Sequence, residues 1–242
     1  HAWKGAGEML GAAGYHVIAY DARGHGDSDW SPDGTYGDDI QVRDLQCVVA
    51  ALGGRRPVLV GASMGGAVSL IATGEAQVDA HALVMVDVGP KLEKEGTDRV
   101  RAFLEQNPDG FESLAEVADA IASYQPQRKR ARNLDGLAKN VRVASDGRYY
   151  WHWDPKRLAV PRELAKRELR LWACAQRLRL PTLLVRGGLS DVLSEEGART
   201  FLELCRHSEY VNVRDAAHMV AGDRNDVFAD AAIGFLSRVA PV

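Results

Sequence analysis

Pro57-Val58-Leu59-Val60-Gly61-Ala62-Ser63-Met64-Gly65-Gly66 is the stretch that decides how this chain is read. The apolar run Pro57–Val60 has the length and composition of a buried strand, and the small apolar residues from Gly65 to Gly74 read as a helix. Ser63 therefore falls on a sharp strand-to-helix turn. Such a turn forces the serine into a strained backbone conformation and requires tiny neighbours two positions away, which Gly61 and Gly65 supply. Gly66 lets the helix approach the sheet closely. A serine at a helix N-terminus sits in a field that favours a developing oxyanion, and the N–H of Met64, the residue after it, is the expected oxyanion donor. A dinucleotide loop is excluded, because the segment lacks the second glycine of G-x-G-x-x-G.

Working outward, four further apolar runs read as buried strands: Tyr15–Tyr20, Ala82–Val86, Pro181–Val185 and Tyr210–Val213. Continuous apolar runs suit a parallel sheet covered on both faces. Helical patterns lie between or after them at Asp39–Leu52, Gly65–Gly74, Glu195–Cys205 and Val227–Val239. The alternation implies an α/β fold with a doubly wound, mostly parallel sheet. It breaks between Val88 and Leu180, where the pattern predicts helices at Asp98–Gln106, Phe111–Tyr124, Leu134–Val143 and Arg162–Leu178. The expected organisation is a core of residues 1–90 and 181–242 with a helical lid inserted at 91–180.

A serine hydroxyl needs a base to take its proton, and the base needs an acid to fix its tautomer. His218 follows the last strand in the loop Ala216–Val220, where α/β enzymes place catalytic groups, and is the expected base. Asp191, in Arg186-Gly187-Gly188-Leu189-Ser190-Asp191 beyond the strand at Pro181–Val185, is the expected acid. Asp87, at the end of Ala82–Val86, competes with it, and Asp215 is too close in sequence to His218. In the insertion, Tyr149-Tyr150-Trp151-His152-Trp153 is dense enough in aromatics to line an acyl pocket, with Trp151 and Trp153 the candidate substrate contacts. Packing of the same rings on the body is the competing reading.

Composition narrows the function classes. The 242 residues carry a net charge of -3, which gives no footprint for nucleic acid. No apolar run approaches the length of a membrane span, and no cluster of His, Cys, Asp and Glu has metal-ligand spacing, so neither metal nor cofactor is expected. The three scattered cysteines, Cys47, Cys174 and Cys205, form no disulfide framework and point to a reducing, cytoplasmic setting. Residues 91–180 hold 19 Lys+Arg against 13 Asp+Glu, and the rest of the chain holds 11 against 20. That asymmetry is read as a basic lid docked on an acidic body. Its sharper form is a lid that attracts an anionic substrate. Arg128-Lys129-Arg130 and Arg132 read as a solvated face.

Taken together, these segments resemble the α/β-hydrolase superfamily over essentially the whole chain. Asp21-Ala22-Arg23-Gly24-His25-Gly26-Asp27-Ser28 is similar to its D-x-R-G-x-G-x-S turn, Val60–Gly66 to its nucleophile elbow, Asp87-Val88-Gly89-Pro90 to the exit into its lid, Gly187–Asp191 to its acid loop and Ala217-His218 to its histidine loop. Within it, the group of carboxylesterases and cofactor-free non-haem peroxidases looks nearest. The resemblance implies a Ser63–His218–Asp191 triad that cleaves a small-molecule ester. Perhydrolase, lyase or C–C hydrolase chemistry, and a non-catalytic ligand receptor, are the alternatives. It treats His25 as structural. It also implies an H-G-x-x segment with the second oxyanion donor upstream of Trp3, on a third strand between Tyr15–Tyr20 and Pro57–Val60, so the chain is expected to be N-terminally truncated and those two strands are expected not to pair.

Overall fold

Four of the five apolar runs become the strands of one parallel sheet. In the computed structural model, which describes residues 2–125, 134–160 and 163–242, the elements in chain order are α1 (Lys4–Ala12), α2 (Asp38–Ala51), β1 (Val58–Ala62), α3 (Met64–Gly74), β2 (Ala82–Val86), α4 (Lys94–Glu105), α5 (Leu114–Tyr124), β3 (Val141–Val143), β4 (Tyr149–Trp151), α6 (Leu164–Arg177), β5 (Thr182–Gly187), α7 (Glu195–Leu204), β6 (Glu209–Val213), α8 (Val220–Asp223) and α9 (Asn225–Val239). The sheet order is β1-β2-β5-β6, with every neighbouring pair parallel. Side chains alternate across it with the period of two that a strand imposes. Leu83, Met85 and Leu184 enter one core with Val42 and Leu45 of α2, Ile71 of α3, Leu171 of α6 and Phe201 of α7. Val84, Val86, Leu183 and Val185 enter the other, with Leu10 of α1 and Phe228 and Phe235 of α9. Each such side chain, fully withdrawn from water, contributes roughly 1.5–3 kcal/mol. The doubly wound α/β architecture expected from the sequence is thereby present.

Tyr15–Tyr20 differs from expectation. It forms no strand, and Val17, Ile18 and Tyr20 are exposed. Apolar composition alone does not make a strand. The backbone must find a ladder partner, and among the described residues none runs beside this segment.

The chain divides into two compact units at boundaries other than 90 and 181. One comprises residues 1–20, 37–96 and 161–242, the other residues 21–36 and 97–160. α6, assigned by sequence to the lid, belongs to the sheet unit. It packs on α3, where a Cβ on Gly74 would lie 2.5 Å from Cys174 Cβ, so only glycine permits the crossing. Arg170 on α6 holds Glu75 through two hydrogen bonds of 2.7 and 2.8 Å, and also reaches Asp39 at 2.7 Å. Arg167 grips Asp38 at 2.7 and 3.1 Å. The guanidinium of Arg170 in turn holds the Glu75 carboxyl below its ordinary range.

That assignment dissolves the charge asymmetry. The second unit carries 12 Lys+Arg and 13 Asp+Glu, so it is close to neutral and no basic lid remains. Part of the excess cationic charge sits on α6, paired within the sheet unit. The run from Arg128 to Arg132 lies outside the described residues. The second unit is also not wholly helical. Val141–Trp151 forms an antiparallel hairpin of β3 and β4, where Leu134–Val143 was expected to be helix. A 3-10 helix over Asp135–Asn140 is all that the helical pattern yields there, and the β-branched Val141 and Val143 then pair with aromatic Trp151 and Tyr149 across the strands.

Candidate active site

Ser63 follows β1 and precedes the first residue of α3 with φ 49° and ψ −115°, outside the regions open to L residues and therefore strained. The turn is held by Ser63 N donating to Val86 O at 3.0 Å and Ala67 N donating to Ser63 O at 3.0 Å. A Cβ on Gly61 would sit 2.4 Å from the backbone of Gly65, and one on Gly66 would sit 2.5 Å from Val88 Cγ1 and 2.7 Å from Gly61 O. Gly61 and Gly66 are therefore required as expected. Gly65 is not, since a Cβ there meets nothing within 4 Å. The crowding falls on Gly61, which faces the Gly65 backbone. Met64 opens α3 and places its amide at the positive end of that helix.

The strand register decides what stands beside the serine. Ala62 pairs with Val86, so Ser63 and Asp87 are the next residues on two adjacent parallel strands, whose usual spacing is about 4.8 Å. Asp87 also turns out of its strand with positive φ, 51°, and is completely buried. Its carboxylate is fully engaged. Oδ1 accepts from Gly187 N at 2.9 Å, and Oδ2 accepts from Ser190 Oγ at 2.5 Å and from His218 Nδ1 at 2.8 Å. A carboxylate on Nδ1 fixes the proton there and leaves Nε2 as the basic nitrogen of a neutral ring. His218 is itself buried, 7% exposed. Among the described residues no hydrogen bond joins its ring to Ser63 Oγ. Such contacts are often loose without substrate and tighten when it binds.

Asp87, and not Asp191, is thus the carboxylate on His218, which corrects the expected acid. The glycine pair of the Asp191 loop serves a different end. A Cβ on Gly187 would lie 2.2 Å from Ala217 O, and one on Gly188 2.7 Å from Arg214 Cα. Gly188 N and Leu189 N donate to Val213 O and Ala216 O at 2.8 and 2.9 Å. The loop docks the histidine segment onto the sheet and presents Ser190 to Asp87. Asp191 lies half-buried under α4, its carbonyl carbon and oxygen filling the space beside Gly96. Asp215 is turned outward to Arg224 at 3.4 Å.

Sequence reasoning missed Ser190 and the Gly187 amide. The only signal was an uncharged hydroxyl one residue before the expected acid.

Trp151 and Trp153 stack on each other, with centroids 4.9 Å apart, in the aromatic core of the second unit. Trp151 is buried against Phe103 and Phe111. The packing that competed with a pocket-lining role is the contact these rings make. His25 belongs to the same unit. Its Nε2 accepts from Arg157 Nη1 at 2.7 Å, its Nδ1 lies 3.2 Å from Arg23 O, and burial together with the Arg157 charge lowers its pKa to about 4. The turn around it closes on itself, with Asp21 Oδ2 accepting from Asp27 N at 3.1 Å and Ser28 Oγ donating to Asp21 O at 2.5 Å. That is the structural role expected for His25.

Among the described residues no group of three or more His, Cys, Asp and Glu could hold a metal ion, and no helix is long and apolar enough to cross a membrane.

A doubly wound parallel sheet with a strained serine at the end of one strand, and a buried Asp–His pair beside it, defines a class of proteins. The chain belongs to the alpha/beta hydrolase family, whose model matches residues 1–231. It is 27% identical over 216 residues to the 3-hydroxybutyrate-oligomer hydrolase of Cupriavidus necator, covering 84% of this chain and 73% of that protein. It is 26% identical over 230 residues to Esterase Rv0045c of Mycobacterium tuberculosis, covering 93% and 74%. Among solved structures, E-2-(acetamidomethylene)succinate hydrolase superposes with a TM-score of 0.80 at 22% identity, over 96% of this chain and 86% of that one, a likeness of fold.

Proposed function

We propose that this chain is a serine hydrolase that cleaves a small-molecule carboxylic ester through an acyl-enzyme, with Ser63 as nucleophile, His218 as base and Asp87 as the orienting acid. The observation that carries the reading is the 2.8 Å contact between His218 Nδ1 and a fully buried Asp87, one strand over from the strained Ser63. His218 Nε2 takes the Ser63 proton as Oγ attacks the ester carbonyl, and Asp87 stabilises the imidazolium that forms. The Met64 amide and the N-terminus of α3 stabilise the oxyanion. The imidazolium then protonates the departing alcohol. Water, deprotonated by His218, cleaves the acyl-enzyme and returns Ser63. The name of the mycobacterial relative, an esterase, supports an ester over other acyl donors.

The test is a panel of p-nitrophenyl esters of increasing acyl length, with fluorophosphonate labelling. The wild type should turn over part of the panel and label at Ser63. Ser63→Ala should abolish labelling and lower kcat by about 10⁵–10⁶-fold. Labelling that survives the substitution overturns the nucleophile. Saturable ligand binding with no turnover identifies a receptor instead, and activity that requires peroxide identifies a perhydrolase.

A further inference from the structure

We infer that Ser190 is a positioning residue for the reaction, acting through Asp87: it locks the orientation of the carboxylate that faces His218. The inference rests on the proposed roles of Ser63, His218 and Asp87.

The Ser190 hydroxyl has one hydrogen and two lone pairs. Both acceptor sites are taken by backbone donors on its own loop, Val192 N at 3.1 Å and Leu193 N at 3.3 Å. Its single hydrogen is thereby aimed at Asp87 Oδ2, 2.5 Å away. The loop that supplies those amides is itself fixed, because Arg186, 7% exposed, donates from Nε to Leu193 O at 2.8 Å. The hydroxyl cannot rotate away without stranding two amides.

For Asp87 this contact decides two things. A fully buried carboxylate is tolerated only if its oxygens are met by donors. Of the three donors present, His218 becomes an imidazolium during the reaction, while Gly187 N and Ser190 Oγ do not change charge. Those two constant donors keep the buried carboxylate met by hydrogen bonds throughout the reaction. They also stop the carboxylate turning about its Cβ–Cγ bond, because Gly187 N pins Oδ1 and Ser190 pins Oδ2. Oδ2 therefore stays on the Nδ1 side of the histidine ring, and Nε2 stays aimed the other way.

The experiment is a double-mutant cycle on the intact chain, using whichever ester the wild type turns over. Ser190→Ala should lower kcat about 10- to 100-fold with KM nearly unchanged. Ser190→Thr, which keeps the hydroxyl, should restore most of kcat. In an Asp87→Asn background, adding Ser190→Ala should cost less than about threefold more, since the group it acts through is already gone. Thermal melting of every variant establishes that it folds.

Two results overturn the inference: a kcat for Ser190→Ala within about threefold of wild type, or additive losses in the double variant. Failure of the underlying reading looks different, because there Asp87→Asn alone keeps wild-type kcat.

Discussion

Two histidines in this molecule, one in each unit, show how a neighbour's charge assigns the chemistry of an imidazole. His218 meets the carboxylate of Asp87 and His25 meets the guanidinium of Arg157. Both rings sit in loops, His218 buried and His25 partly so. The carboxylate accepts the Nδ1 proton and leaves Nε2 free to act as a base. Burial, and then the guanidinium that occupies Nε2 of His25 with a donor, disfavour a second proton on that ring, and its pKa falls to about 4. Sequence position already favours His218, which follows the last strand, over His25. The partner brought in from 131 or 132 residues away then gives each ring its chemistry.

The sharpest way to break that contrast is to remove the charge on which it rests. Asp87→Asn should lower kcat by about 10³–10⁴-fold, because the amide neither fixes the tautomer nor stabilises the imidazolium. Asp191→Asn should change kcat by less than about threefold, since Asp87 is the carboxylate that holds Nδ1. Steady-state kinetics of the two variants side by side checks the choice of acid, and the reverse ranking would restore Asp191.

A smaller effect is expected from acid on the second unit. The folded pKa of His25, about 4, lies below its ordinary 6.5. The neutral ring therefore contributes stability that is complete above pH 6.5, declines as pH falls from 6.5 to about 4, and is lost below that. At most about 3 kcal/mol is involved. Denaturant midpoints measured at pH 7 and pH 4 should differ by more in the wild type than in His25→Gln, where no ring titrates. Equal differences would mean that protonation of His25 does not drive the loss.

The smallest effect is the one expected on catalysis from the same change. His25→Gln should leave kcat at pH 7 within about threefold of wild type, because the ring is held by Arg157 and Arg23 and is not a base. A loss approaching that of Asp87→Asn would return His25 to the chemistry and abolish the distinction between the two rings.

The helix and strand patterns were legible where burial and period agree. β2 lies where its apolar run predicted, and α2, α3, α7 and α9 fall within a few residues of theirs. The misreadings have separate physical causes. Tyr15–Tyr20 has strand composition without a ladder. Leu134–Val143 was read as helix although its last residues are β-branched and meet aromatics across a hairpin. α6 was placed in a lid because it follows the break in strand alternation, although Leu171, Cys174 and Ala175 mark a face that packs on α3.

What the sequence determined alone was the turn at Ser63 and the candidacy of His218. A nucleophile turn is local. Its sterics are set within six residues, Gly61 to Gly66, and crowding between the Gly61 and Gly65 positions is the same in any chain that makes the bend. The acid was settled only by tertiary structure. Asp87 and Asp191 both follow buried strands of the same sheet, and nothing local distinguishes them. The register of β1 against β2 sets Asp87 beside Ser63, and the docking of the histidine loop on Gly187 and Gly188 brings His218 within 2.8 Å of it. Strand order and loop docking are long-range packing choices, and a carboxylate acquires its role from the donors that packing delivers to it.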